Sequence, residues 1–486
     1  MKILTRSQIR TAEESAVASG TFSFEQLMLN AGRSAAEKIM QRYDVKGKNI
    51  TVVCGNGNNG GDGIVVADKL SKSGAFVTVC FPQGTPKTDT AKSFLYMTDG
   101  LKMVNSLPKE NDIIIDALFG TGFKGSLLGE TAEMVDCMNL SGAVKIAIDV
   151  PSGVVCDSGE CKKAFKADYT VTFIALKPCF VLPNASEYCG EVEVADIGVK
   201  IKEYSYLTVP RPTVKKRLKN SHKGTYGTAL LICGSYGMCG AQILSARACA
   251  VSGVGIVKSV VCERNYTALC TALPEAVTVP VSTSQNGAMV IDDNTLKSLI
   301  DESDALLIGC GIGKSEEAKK LVKRTLQIAN IPVIIDADGI NAVSKDINII
   351  RTVKAPVILT PHPAEMARLC GTDVKDIESN RCLYAKRFAM QNDCVLVLKG
   401  ANTIVAAPDG RVFFNTTGNA GMATGGSGDV LSGMIVARLA KGENALNSAL
   451  SSVWLHGKAG DLAANRLTQN SLLPSDIIEE LRTLSD

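Results

Sequence analysis

The stretch CGNGNNGGDG, residues 54–63, decides how the first half of the chain folds. It follows directly on Ile50-Thr51-Val52-Val53 and runs directly into Ile64-Val65-Val66-Ala67. A short β-branched run, a glycine-dense turn and a helical pattern spell strand, phosphate-type loop and helix. The glycines are expected to take up positive φ and let the backbone approach a ligand, while the helix N-terminus offers unpaired N–H groups to an anion. Asn58, Asn59 and Asp62 add amide and carboxylate oxygens, which an ordinary dinucleotide fingerprint lacks. Those oxygens suit a cation or a sugar-like hydroxyl.

Working outward, 486 residues are enough for two or more domains, each with its own core. A 45% hydrophobic, 21% charged composition with 44 glycines is that of a globular protein with many strand-to-helix turns. The net charge of +3 gives no signal for nucleic acid, and no apolar run reaches membrane-spanning or signal-peptide length. The reading is therefore a cytoplasmic protein without nucleic-acid or membrane partners, expected as a homo-oligomer. Sixteen cysteines stand singly in apolar runs, as reduced, buried side chains do. Three distant histidines, His222, His362 and His456, argue against a zinc centre.

In chain order, helical patterns cover Arg6–Ala18 and Phe24–Arg42, and strand-like runs recur at residues 50–54, 75–81, 113–117, 144–150 and 170–174. This alternation predicts an α/β, parallel, doubly wound sheet. DIIIDALFGTGFKG ends one strand on Asp116, and KIAIDVPSG ends the next on Asp149, with Ser152 just beyond. Ligands of open α/β sheets sit outside the carboxyl ends of the strands, so these loops should converge with residues 58–62. Asp116 could equally cap the next helix. Residues 209–221, proline-bearing and basic, read as a linker between a domain at 1–208 and a second at 222–486. There the pattern restarts with GTALLICGSYGMCGA and further strand-like runs at 256–261, 305–308, 333–336, 357–360 and 395–398.

The chemistry of the second domain gathers late. In NTTGNAGMATGGSGDVLSG, Asp429 follows Gly425-Gly426-Ser427-Gly428 at the start of an apolar helix, where backbone amides form an anion hole and a carboxylate could take a proton from a hydroxyl. KGANT, residues 399–403, turns off a buried strand and could wrap a phosphate. In LTPHPAEMARL two prolines aim His362. Taken singly, His362 reads as a hydrogen-bonded structural residue, whereas Asp429 still points to chemistry, with a helix N-cap as the competing structural reading.

NAGMATGGSGDVLSG, LTPHPAEMARL, IDADGIN and KGANT together resemble the NAD(P)H-hydrate dehydratases of the ribokinase-like superfamily. CGNGNNGGDG, DALFGTGFKG and DVPSG resemble the NAD(P)H-hydrate epimerases, whose domain is Rossmann-like. The chain departs from the dehydratase pattern at Cys310, usually proline, and at Ala364, usually glycine. The resemblance implies an N-terminal Rossmann-like epimerase domain followed by a ribokinase-like dehydratase domain. In the first, it assigns Asn58, Asn59, Gly60, Gly61, Asp62, Gly120, Thr121, Gly122, Phe123, Lys124, Gly125, Ser126 and Asp149 to the hydrated cofactor, with Asp149 catalytic, and Asn59, Asp116 and Ser152 to a potassium ion. In the second, it assigns Gly253, Gly313, His362 and Asp429 to the hydrated cofactor, Asp429 being catalytic. Lys399, Gly400, Ala401, Asn402, Thr403 and Gly428 are assigned to ADP or ATP, the co-substrate used with magnesium.

The implied reaction is repair of hydrated nicotinamide cofactors, NADHX and NADPHX. The R and S epimers are interconverted, and the S epimer is dehydrated with a nucleotide, ADP favoured. A rival stays open here: a vitamin or sugar kinase with a regulatory N-terminal domain shares the anion hole and the aspartate.

Overall fold

The computed structural model describes residues 1–213 and 216–484, so Val214 and Lys215 of the expected linker lie outside the described residues, as do Ser485 and Asp486. The described residues divide into two compact units, Met1–Leu207 and Thr208–Asp486.

In the first unit, strands Asn49–Cys54, Phe76–Cys80, Lys102–Val104, Ile113–Ala117, Val144–Ile148, Tyr169–Phe173 and Glu191–Ala195 form one parallel sheet. Their spatial order starts at Lys102–Val104, passes through Phe76–Cys80 to Asn49–Cys54, then runs on through the remaining strands in sequence. The order reverses between Asn49–Cys54 and Ile113–Ala117, the place where an open sheet leaves a crevice. Helices Arg6–Ala18 and Phe24–Arg42 open with capping boxes, Thr5 with Gln8 and Ser23 with Gln26, which explains their sharp starts. Leu27, Ala31, Ala35 and Ile39 of the second join a core with Val52, Ile64, Val66 and Ile115, and all of these are buried.

The glycines of residues 54–63 do a different job from the one expected. Helix Asn58–Lys72 begins at Asn58, and none of Gly55, Gly57, Gly60, Gly61 or Gly63 has positive φ. All but Gly57 are small because neighbours are close: a Cβ on Gly60 would stand 1.9 Å from Gly55 O, and one on Gly63 2.6 Å from Ala117 Cβ. The stretch serves close helix-to-sheet packing, which in turn brings the helix start onto the strand ends.

In the second unit the sheet order is Val412–Phe414, Ile404–Ala406, Val395–Leu398, Val357–Leu359, Val333–Ile335, Ala305–Ile308, Thr228–Ile232, Ile256–Cys262, Val277–Thr283 and Met289–Val290. The central strands are parallel. The pairs Val395–Leu398 with Ile404–Ala406, Ile404–Ala406 with Val412–Phe414, and Val277–Thr283 with Met289–Val290 are antiparallel. Helix Ser427–Ala440 is buried along most of its length, and its N-terminus presents the glycine-rich loop. No described helix is long and apolar enough to cross a membrane.

Candidate active sites

At the crevice of the first unit, Asp116 closes its strand fully buried. Its Oδ1 accepts from Ser152 Oγ at 2.7 Å and Leu118 N at 3.1 Å, and its Oδ2 accepts from Ser152 N at 2.8 Å. It caps no helix. Burial pushes its pKa up to about 6 against the pull of those donors. Asn59, also buried, donates through Nδ2 to Ile148 O at 3.3 Å, while its Oδ1 is buried with no hydrogen-bond partner. That orphan oxygen faces the next loop, for a Cβ on Gly120 would stand 3.2 Å from it and 2.5 Å from Asp149 Oδ2. An unsatisfied buried amide oxygen is costly, and a cation is one way to satisfy it. A buried carboxylate, a hydroxyl and an orphan amide oxygen are the donor set a hard monovalent ion needs.

Asp149 leaves its strand with φ of 71°, a turn that a non-glycine residue rarely takes. Its Oδ2 accepts from Thr121 N at 2.9 Å, which ties it to the Gly120-Thr121-Gly122 loop, and its Oδ1 pairs with Lys177 Nζ at 2.9 Å. Lys177 is fully buried and also donates to Thr172 Oγ1 and Phe173 O. The remainder of the loop, Phe123, Lys124, Gly125 and Ser126, lies between strand Ile113–Ala117 and helix Gly129–Leu140, with Phe123 packed on Phe119 at a ring-centroid distance of 5.3 Å. Asp62, raised well above the usual carboxylate range by burial and by the charges of Asp149 and Glu13, belongs to the same cluster. Asn58 is exposed at the helix start, and Gly60 and Gly61 follow it in the first turn.

Sequence reasoning missed two members of this cluster. Glu13, half-buried, has its pKa pushed up to about 7 by burial and then by Asp149, with Lys177 opposing. It sits on a helix face that reads as solvated. Lys177 follows a strand in a loop without a motif, and only its full burial marks it.

In the second unit Asp429 lies in the first turn of helix Ser427–Ala440, whose N-cap is Gly426 at φ of 100°, with no side-chain cap bond. The N-cap reading of Asp429 is thereby overturned. Burial, then the neighbouring Asp336, push its pKa up to about 7, while Cys310 and Lys399 pull the other way. Asp336 is buried, bonded to Lys399 Nζ at 2.7 Å and to Ser432 Oγ at 2.7 Å. Lys399 Nζ in turn stands 3.1 Å from where a Cβ on Gly428 would lie, so its ammonium reaches the glycine loop. The ammonium, the helix start and the carboxylate therefore share one small space.

The 399–403 loop is strained and buttressed. Gly400 has φ of 139° and Asn402 has φ of 52°. The buried Arg381 guanidinium donates to Ala401 O at 3.0 Å and to Lys399 O at 3.3 Å, and Thr403 Oγ1 donates to Gly400 O at 3.0 Å. His362 is both a cap and a site residue in position. Its Nδ1 accepts from Ala364 N at 3.1 Å, starting helix Pro363–Cys370, and its Nε2 lies 3.3 Å from Glu365 Oε1. Burial holds His362 below its ordinary pKa and lifts Glu365 to about 7. Gly313 N donates to Asp338 Oδ2 at 3.1 Å, Asn341 Nδ2 donates to Asp338 Oδ1, and Arg368 Nε donates to Asn341 Oδ1. This chain of bonds ties the Gly313 loop to the His362 helix.

Gly253 does not join them. It follows the C-terminus of helix Cys239–Val251, and a Cβ there would stand 3.8 Å from Nζ of Lys441, just past the C-terminus of the helix whose other end holds Asp429. Twelve residues of rise, about 18 Å, separate the two ends. Among the described residues one cluster of metal-ligand type is found: Cys310, Asp336 and Asp429, with candidate ligand atoms all within 4.8 Å of one another. It is a poor zinc site. The Cys310 thiol is held far above its ordinary pKa by Cys233 and burial, and Asp336 is already neutralised by Lys399.

Comparisons with known proteins agree with the motifs. Residues 229–483 match the family described as NAD(P)H-hydrate dehydratase, and residues 24–179 match YjeF-related protein N-terminus. A bifunctional NAD(P)H-hydrate repair enzyme of Moorella thermoacetica is 36% identical over 94% of this chain and 91% of its own length. A ribokinase-like superfamily protein of Enterococcus faecalis is 29% identical with a TM-score of 0.50, over 56% of this chain and 91% of that one. An ADP/ATP-dependent NAD(P)H-hydrate dehydratase of Bacillus subtilis, co-crystallised with ATP and Mg2+, is 35% identical with a TM-score of 0.48, over 56% of this chain and 93% of that one.

Proposed function

Because this chain belongs to the bifunctional NAD(P)H-hydrate repair enzymes, we propose a division of labour along its length. Residues 1–208 interconvert the R and S epimers of NADHX and NADPHX, residues 222–486 dehydrate the S epimer, and 209–221 connect the two. The kinase alternative gives way, since the relatedness extends through both halves to an enzyme of repair. We place the reaction in the cytoplasm and expect a homo-oligomer.

The observation that carries the dehydratase reading is Asp429, a carboxylate poised near neutrality beside a helix N-terminus and the Lys399 ammonium. Hydroxide is a poor leaving group at C6 of the hydrated ring. Asp429 takes the proton of the C6 hydroxyl, and that oxygen bonds to the β-phosphorus of ADP as the bond to the bridging oxygen breaks, releasing AMP. Phosphate then leaves C6 while a proton leaves C5, which restores the ring double bond. Lys399 and the amides at residues 426–428 steady the phosphate charge, and Lys399–Thr403 hold the nucleotide. Magnesium bound with the nucleotide supplies charge neutralisation. The Asp336 carboxylate is held by Lys399 and Asp429 is assigned to the proton, so the magnesium would be carried by the nucleotide's own phosphates.

In the first unit, the C6 stereocentre must open and reclose, which a proton acceptor at its hydroxyl promotes. Asp149, held by Thr121 N and Lys177, is that acceptor in our reading. Potassium at Asn59, Asp116 and Ser152 fits the orphan Asn59 Oδ1, and would favour a phosphate beside the Asn58–Lys72 helix start. Supplying the S epimer of NADHX with ADP and scoring NADH, AMP and phosphate together tests the phosphoryl route. Equal yields support it; NADH without AMP contradicts it.

A further inference from the structure

Away from Asp429, at the C-terminal end of helix Ser427–Ala440, the second unit has a cavity of 1420 Å³. Its lining is unusually cationic. Arg217, Arg438 and Lys441 face it, with Glu443 as the carboxylate among them that is paired to Arg438, at 3.1 Å. Neither Arg217 nor Lys441 has a carboxylate within ion-pair distance among the described residues. Arg217 donates to Gly253 O at 2.9 Å and lies 4.3 Å from the Tyr226 ring centroid; Lys441 donates to Ser252 O at 3.0 Å. Arg438 is buried, and its Nε has no partner.

Between the two free cations the chain leaves room. Gly253 has φ of 84°, and a Cβ there would stand 3.6 Å from Arg217 Nη2 and 3.8 Å from Lys441 Nζ. The simplest structural account is that each cation caps a helix C-terminus, where the dipole favours positive charge. That account covers one hydrogen bond from each. It leaves the remaining donors of both groups unused, and it leaves the two groups and Arg438 crowded together. The crowding is felt: Lys441 is held below the ordinary lysine range by burial and then by Arg438, with Arg217 adding to it. Val251, Met434 and Leu455 give the same cavity an apolar side.

We propose that this cavity is a second anion site, which takes an organic phosphate or diphosphate. Its charged group is bracketed by Arg217, Arg438 and Lys441, and its apolar or aromatic body rests on the Val251–Met434–Leu455 side. Arginine forks and a lysine ammonium around one open cradle are the donors that phosphate oxygens require. The site is separate from the nucleotide loop at 399–403 and independent of the roles assigned to Asp429.

The test uses the full chain with ADP saturating, so that the nucleotide loop is filled, and inorganic pyrophosphate as the probe in calorimetric titration. Wild type should bind one further pyrophosphate per chain. Arg217→Ser with Lys441→Ser should weaken it by about tenfold or more, the worth of lost charge-assisted bonds. The same variant should keep its KM for hydrated NADH and its turnover. Unchanged pyrophosphate affinity in the variant, or no binding to wild type, overturns the proposal. So does a raised KM for hydrated NADH, which would make the cavity part of the substrate site. Should the double variant unfold, Arg217→Ser alone, at an exposed residue, gives the same reading.

Discussion

Replacing Asp429 by asparagine keeps the volume of the side chain and removes its ability to accept a proton. Its carboxylate is pushed up to about 7 by burial and Asp336, so at neutral pH about half of it is ionised and available as a base. Dehydration of the S epimer should fall about 10²–10⁴-fold, the usual worth of a positioned general base. The same environment sets a pH profile. In wild type the dehydration rate should drop about tenfold per pH unit below 7, and the variant should lose that dependence. The raised pKa also carries a stability consequence. A carboxyl that binds its proton more tightly when folded stabilises the fold below its unfolded pKa, and that stability is lost as pH rises from about 4 to 7. Asparagine escapes the cost of ionisation, so the variant should melt at a higher temperature at pH 7, by at most about 4 kcal/mol of stability for the roughly 3-unit shift. The assays are recovery of the reduced-nicotinamide absorbance, ADP affinity by titration and thermal unfolding at pH 5 and pH 7. ADP binding should survive and could only tighten, because a negative charge near the phosphates is gone. A variant within a few-fold of wild-type turnover would refute the reasoning.

Other sites make separate predictions. Asp116→Ala removes the formal charge at the proposed potassium site, so epimerisation should fall and lose its dependence on potassium, while dehydration of pure S epimer stays intact. In wild type, potassium affinity should weaken as pH falls through about 6, where Asp116 takes its proton. Lys177→Met leaves Asp149 without its cation and should destabilise the first unit by about 3–5 kcal/mol, with epimerisation lost; unaltered melting would remove Lys177 from the account. Gly400→Ala sets a Cβ 2.9 Å from Arg381 at a φ of 139° and should raise the KM for ADP more than that for the hydrated cofactor. Residues 1–208 and 213–486, expressed apart, should retain epimerisation and dehydration respectively.

Much of this was legible in the sequence because local signals agreed. The helices Arg6–Ala18 and Phe24–Arg42 carry their own capping residues, and the central parallel strands are short, mostly apolar runs. Several short strands were not legible. Lys102–Val104, Ile404–Ala406 and Val412–Phe414 are three residues each, too short for alternation to register. Tyr206–Thr208, paired antiparallel with Lys2–Ile3, just precedes the basic connector and was not legible either, because a pairing across the whole first unit leaves no local trace. At the sites, Asp116, Asp149 and Asp429 could be read because each ends a strand or starts a helix beside glycines. Asp336 could be seen only as part of IDADGIN; its ion pair with Lys399 spans 63 residues. Glu13 and Lys177 carry no motif at all, and Gly253, assigned by the resemblance, lies at the other end of the helix from Asp429.

The most direct test of the central claim is to give the full chain an equilibrated mixture of R and S NADHX with ADP and potassium, and to follow the reduced-nicotinamide absorbance to completion. The account predicts recovery of the entire mixture in one phase at high enzyme. It further predicts that Asp116→Ala recovers only the S fraction quickly, with the rest following at the uncatalysed rate of epimerisation. Fast, complete recovery by Asp116→Ala, or no recovery by wild type, would contradict it.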